Sequence, residues 1–188
     1  MKENYFKEGC AIKDQFATHF FTLTICGWID LFTRKVYKDI VTDALKYAQQ
    51  QNQLLLNAYV IMSNHMHFIA RANERQKKTL SDIIRDFKKF THHQMMQVIE
   101  SSEENRQAWM LHQFAYFGKY NPNNEAKQIW TNNNHPEECF TKAFTDSKLN
   151  YIHQNPVRAG IVKNPEDYIY SSASNYAGKG GILNVELI

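Results

Sequence analysis

The chain is poor in cysteine. Its three, Cys10, Cys26 and Cys139, are odd in number, widely scattered and without a CxxC pair. That pattern favours neither a disulfide framework nor a thiolate zinc site, and it suits a reducing cytoplasm. Long apolar runs are also missing: the most apolar stretch, FFTLTICGWIDLF, is interrupted by Thr22, Thr24, Gly27 and Asp30, so no membrane span is expected. The opening MKENYFKEGCAIKDQF has no apolar segment of the kind an export signal needs. Charge of one sign is scarce too. A formal net charge of +3 and a pI near 8.6 permit nucleic-acid binding without demanding it. No internal repeat is present.

What remains is 188 residues, 43% of them hydrophobic, enough for one core and too few for two. One domain over 1–188 is expected, its core at about 18–176, between a polar leader and a turn-rich aromatic tail that wraps the body and frays at its glycines. His19 to Cys26 is β-branched and aromatic and reads as a first strand ended by Gly27. From Tyr37 the apolar period becomes helical through Ile40, Val41, Ala44, Leu45 and Ala48, ending near 50–52. Leu54 to Met62 is a second strand, and the gap at Ser63-Asn64 predicts an antiparallel hairpin. Thr79 caps a further helix with Asp82 as capping-box partner, and Leu80, Ile83, Ile84, Phe87 and Thr91 share its face.

Beyond it, Ser101 to Glu104 and Asn121 to Asn124 read as loops, while WMLHQFAYF is apolar without a clean period and supports no assignment. Gln128 to Thr131 is strand-like, and NNNHPEECF reads as a turn. A last helix runs from about Thr141 to Asn155, where Pro156 is expected to stop it.

Two stretches carry chemistry. In AYVIMSNHMHFIAR, residues 58–71, His65 and His67 are two apart, so on a strand both imidazoles stand on one face and aim two nitrogens at one point. A pair of core or surface histidines would satisfy the same spacing. In LNYIHQNPVRAG, Tyr151 and Asn155 lie four apart and share a helical stripe with Lys148, while Leu149 and Ile152 face the other way. A tyrosine packed on the sheet is the competing reading. Taken together, the stretches suggest a histidine-held divalent ion facing a nucleophilic phenol, a set suited to phosphodiester attack with a covalent phosphotyrosine. The basic stretch 71–94 has seven basic residues against three acidic, a surplus of four, and is the candidate phosphate-binding surface or else an ordinary solvated helix face.

MSNHMHFIA resembles the histidine-hydrophobic-histidine (HUH) signature of the single-tyrosine, IS200-like transposases, and LNYIHQNPVRAGIV resembles the tyrosine helix of their REP-associated branch, the RAYT proteins. IWTNNNHPEECF and EDYIYSSASNY are similar to that branch as well, so the resemblance spans about 20–176. It implies an α+β ferredoxin-like or RRM-like sandwich with a mainly antiparallel sheet and helices on one face. It also implies Mg2+ or Mn2+ on His65 and His67, Tyr151 as nucleophile, and Asn155 as third ligand where relatives use a glutamine one methylene longer. The implied substrate is single-stranded DNA with hairpins, such as repeated extragenic palindromes, cut to a 5′-phosphotyrosine and a free 3′-OH by a monomer or homodimer acting at the nucleoid. Charge nominates Arg71, Arg75, Lys88, Lys89, Lys148 and Arg158 as DNA contacts. Two other readings stay open: a catalytically silent RRM-like module that binds hairpin nucleic acid, and a zinc site built from His65, His67, His135 and Cys139.

Overall fold

The computed structural model describes residues 11–51, 53–101, 104–119 and 126–188. Strand β1 (His19–Thr24) leads into helix α1 (Lys35–Gln50), and strands β2 (Leu54–Ile61) and β3 (His65–Ala72) form a hairpin. Helices α2 (Leu80–Glu100) and α3 (Gln107–Lys119) follow, then the two-residue strand β4 (Glu137–Glu138), α4 (Lys142–Arg158) and the short α5 (Ala173–Tyr176). The sheet order is β2-β3-β1-β4 with every neighbour antiparallel. This is the ferredoxin-like topology: β1 and β2 run the same way through the α1 crossover, and β3 is inserted between them.

Alternation along β3 divides the molecule. Met66, Phe68 and Ala70 are almost wholly buried on one face, where Phe68 stacks on Phe21 across the β1–β3 pair at 4.8 Å between ring centroids. Each such ring removed from water contributes roughly 2–3 kcal/mol. The apolar stripes of α1 and α2 cover this face and pack on each other. The expected arrangement of helices on one face describes these two, and α4 adds a cover to the other face, against β2 and β3.

Helix α2 begins as its sequence dictates. Thr79 Oγ1 accepts from the Asp82 amide at 3.1 Å, and Asp82 Oδ2 accepts from the Thr79 amide at 3.3 Å, closing the capping box. The stretch WMLHQFAYF is helical, the middle of α3, with Met110, Phe114 and Gly118 buried at four-residue spacing. Its start is tied to α1 by a buried carboxylate: Glu104 accepts from Arg34 Nη1 and from the Tyr37 hydroxyl, each at 2.9 Å. Burial would raise the Glu104 pKa, yet Arg34, the Arg106 amide and Tyr37 together hold it below its usual value.

Four expectations change. Pro156 does not end α4, which continues to Arg158. The ring removes one amide from the ladder only in the last turn, where the chain closes instead through Ala159 N to Asn155 O and Gly160 N to Val157 O. The turn NNNHPEECF contains β4, while strand-like 128–131 is a single bridge, Trp130 to Ile25, rather than a ladder. The tail does not fray at its glycines: Leu183 is buried, and the Glu186 amide bonds Leu56 O at the edge of β2. The expected loops at 102–103 and 121–124, and Cys10, lie outside the described residues. No described helix is long and apolar enough to cross a membrane.

Candidate active site

The face opposite Phe68 carries the histidines. Antiparallel register places Thr22 beside His67 and Thr24 beside His65, so β1 and β3 project Phe20, Thr22, His65 and His67 from one surface. The two imidazoles lie 4.8 Å apart between centroids. From above, α4 lowers Tyr151 onto them, its ring 5.1 Å from His67 and 6.1 Å from Phe20, both edge-to-face. The opposite side of α4 anchors it: Ile152 is completely buried, and His153 bonds Ser172 Oγ at 2.9 Å. Tyr151 itself stays 39% exposed. Sequence spacing alone had left it between display and burial; the fold brings His65, His67 and Tyr151 into one cleft.

The orientation of each histidine is set by its Nδ1. Asn64 Nδ2 donates to Trp28 O at 3.2 Å, which turns the amide oxygen toward His65 Nδ1 at 2.7 Å. His65 therefore carries its proton on Nδ1, leaving a lone pair on Nε2. His67 Nδ1 bonds Thr22 Oγ1 at 2.9 Å, and its Nε2 is buried with no hydrogen-bond partner among the described residues. An orphaned ring nitrogen in a protein interior costs energy unless something binds it. Burial, then repulsion from His65 where that ring is protonated and from the charges of Lys148 and Arg158, pushes the His67 pKa down to about 3, and burial also lowers that of His65. Both rings are thus neutral at pH 7, the form that ligates a metal.

A divalent ion fits this donor set. Asn155 is half-buried on α4, one turn beyond Tyr151 on the same stripe, and its carboxamide oxygen is of a type that can complete such a set. Among the described residues, no three His, Cys, Asp or Glu side chains gather at one point, so His135 and Cys139 do not complete a zinc site with the histidine pair.

Two of the charge-nominated residues reach the cleft. Arg158 lies over the Tyr151 ring, 4.6 Å from its centroid, and donates to Tyr151 O at 3.0 Å. Lys148 sits 4.4 Å above Phe20, which stacks on His67, and pairs with Glu137 at 2.6 Å. Arg71 shares the histidine face and pairs with Glu186 at 3.2 Å. The rest are elsewhere. Arg75 is exposed in the β3–α2 turn, Lys89 is exposed on α2 across the sheet, and Lys88 turns inward to Thr131 O and Asn134 Oδ1 at 2.6 and 2.8 Å. The basic stretch is partly neutralised within itself, Lys78 by Asp86 and Arg85 by Asp82 and Asp86. Thr22, Asn64, Phe20 and Trp28 were not anticipated. Only Asn64, adjacent to His65, left a trace in the sequence; the others depend on cross-strand register and loop path.

No family model and no curated protein matches the sequence. Solved structures do. One is a REP-associated tyrosine transposase bound to a REP hairpin, with a TM-score of 0.64 at 17% identity over 97% of this chain and 94% of that one. This chain shares that protein's fold. A second, from Deinococcus radiodurans R1 and named only provisionally as a transposase, has a TM-score of 0.45 at 15% identity over 78% of this chain and 95% of that one.

Proposed function

We propose that this chain is a metal-dependent transposase-type endonuclease that cuts and rejoins single-stranded DNA at hairpins, with Tyr151 as the nucleophile. The observation that carries the reading is the orphaned, buried Nε2 of His67 beneath a half-exposed tyrosine whose ring centre is 5.1 Å away. The shared fold with a hairpin-bound transposase supports it and suggests the substrate class.

Mg2+ or Mn2+ held by His65, His67 and Asn155 would withdraw charge from a non-bridging phosphate oxygen. Tyr151 Oη attacks phosphorus, an Oη–P bond forms, and the P–O3′ bond breaks. The phenolic proton passes to solvent, and the departing 3′ oxygen takes one up to become a 3′-OH. The 5′-phosphotyrosine conserves the bond, so a 3′-OH attacking it reverses the chemistry and rejoins a strand. A tyrosine hydroxyl with a solution pKa of roughly 10 is a weak nucleophile at neutral pH. The Arg158 guanidinium stands over the Tyr151 ring, and Lys148 adds positive charge beside His67.

The test is incubation of the protein with labelled hairpin oligonucleotides from the DNA flanking its own gene, in Mg2+ or Mn2+, followed by denaturing electrophoresis. A denaturant-resistant adduct, lost in both Tyr151→Phe and His65→Ala, is expected. Hairpin binding that survives both substitutions, with no adduct from the wild type, would instead identify a silent binding module.

A further inference from the structure

We propose that Trp28 is a stacking platform for one base of the bound single strand, placing the adjoining phosphate at the histidine cleft. This rests on the reading of the chain as a single-stranded DNA enzyme and adds a positioning residue to it. Trp28 follows β1 in the loop Cys26–Trp28, and its indole is 65% exposed. It stands beside the site, 6.0 Å from the His65 ring and edge-to-face with it. The contact does not use the flat of both rings, so an indole face remains open to a partner.

The loop holds this exposed ring at a backbone conformation that bulky residues rarely adopt: Trp28 has φ +55°. Gly27 before it has φ +65°, and a Cβ there would fall 2.8 Å from Phe117 Cε2, so α3 braces the turn from below. Trp28 N donates to Ile25 O at 3.0 Å, and Trp28 O accepts from Asn64 Nδ2. That same Asn64 orients His65, which links the platform mechanically to the first candidate ligand. A large apolar side chain held out of the core, on a braced turn, beside a candidate phosphate site is suited to a nucleobase. Every base has a flat π face, and aromatic side chains that bind single strands use it without reading sequence.

The test is equilibrium binding by fluorescence anisotropy. The probe is a labelled hairpin oligonucleotide from the gene's flanking DNA with single-stranded extensions, plus a set carrying an abasic residue at each extension position in turn. Trp28→Ala is expected to weaken binding roughly 5- to 150-fold, the range for one stacked base, and Trp28→Phe to recover most of it. Trp109→Ala, which removes an exposed tryptophan on α3, serves as the comparison and should leave binding nearly unchanged. At one extension position the abasic strand should bind the wild type more weakly yet bind Trp28→Ala no worse than the intact strand does. Identical abasic profiles for the wild type and Trp28→Ala would overturn the platform. Wild-type protein that binds these strands without forming an adduct would defeat the enzyme reading alone, because the abasic profile still decides the role of Trp28. Wild-type protein that binds none of the strands would overturn both.

Discussion

Mild acid should destabilise this fold well before its carboxylates titrate, because buried histidines, most strongly His67 and His153, are held neutral in the folded state. Burial lowers the His153 pKa to about 4, and burial with neighbouring positive charge lowers that of His67 to about 3. The unfolded chain binds those protons near pH 6.5, so it is the unfolded state that gains as pH falls. The stability is complete above pH 6.5 and drains away as pH drops toward 3–4. At about pH 5 a ring kept neutral costs about 2 kcal/mol relative to neutral pH, 1.5 units at about 1.4 kcal/mol each. His67 is fully enclosed and should contribute that amount; His153 is partly open to water, and screening reduces its share to about 1 kcal/mol. A loss of about 3 kcal/mol between about pH 7.5 and pH 5 is a large part of a typical domain's 5–15 kcal/mol. Urea unfolding followed by circular dichroism, in chelator, would read it directly. His153→Gln retains a polar partner for Ser172 but cannot titrate, so its loss over the same range should be smaller by about 1 kcal/mol. A wild-type stability that is flat from pH 7.5 to 5, or a His153→Gln protein with the full loss, would refute the reasoning. Glu104, Asp82 and Asp86 do not confuse the measurement, because their pKa values are held low and they titrate below this window.

Glu104→Ala should cost about 3 kcal/mol, lowering Tm by roughly 6–12 °C in calorimetry, because it takes the carboxylate acceptor from the buried Tyr37 hydroxyl and removes one partner of Arg34. Gly27→Ala should cost about 2 kcal/mol in the same experiment, from its positive φ together with the displacement of Phe117. Thr22→Val should weaken Mn2+ binding by roughly 10- to 100-fold in titration calorimetry while leaving the fold intact, since it frees His67 Nδ1 from the bond that aims its other nitrogen; unchanged affinity would show that Thr22 does not orient the ligand.

Much of the architecture was legible because its signals are local. Aromatic and β-branched content marked β1, the gap at Ser63-Asn64 marked the β2–β3 hairpin, the helical period marked α1 and α2, and Thr79 with Asp82 announced the start of α2. Helix α3 was not legible, because Trp109 and Tyr116 are exposed despite being apolar and hide the spacing of Met110, Phe114 and Gly118. Pro156 misled because a proline in the final turn removes little from the helix. The site divides in the same way. His65 with His67, and Tyr151 with Asn155, were visible as pairs within one element. That β3 and α4 face each other, and that Thr22 and Trp28 stand beside the histidines, depends on tertiary packing. Charge was the weakest guide: Lys88 is spent inside the protein on Thr131 and Asn134, whereas Arg158 and Lys148 are placed by the helix that carries the tyrosine.

The central claim, that Tyr151 forms a covalent bond to DNA, is tested most directly by locating the adduct. The protein is reacted with a hairpin strand in Mn2+, digested with nuclease and protease, and sequenced by tandem mass spectrometry. The account predicts a nucleotide joined through its 5′ phosphate to Tyr151 in the peptide of α4, and a strand fragment ending in a 3′-OH. A nucleotide on any other residue, or cleavage that leaves free 5′ phosphate with no modified tyrosine, would contradict it.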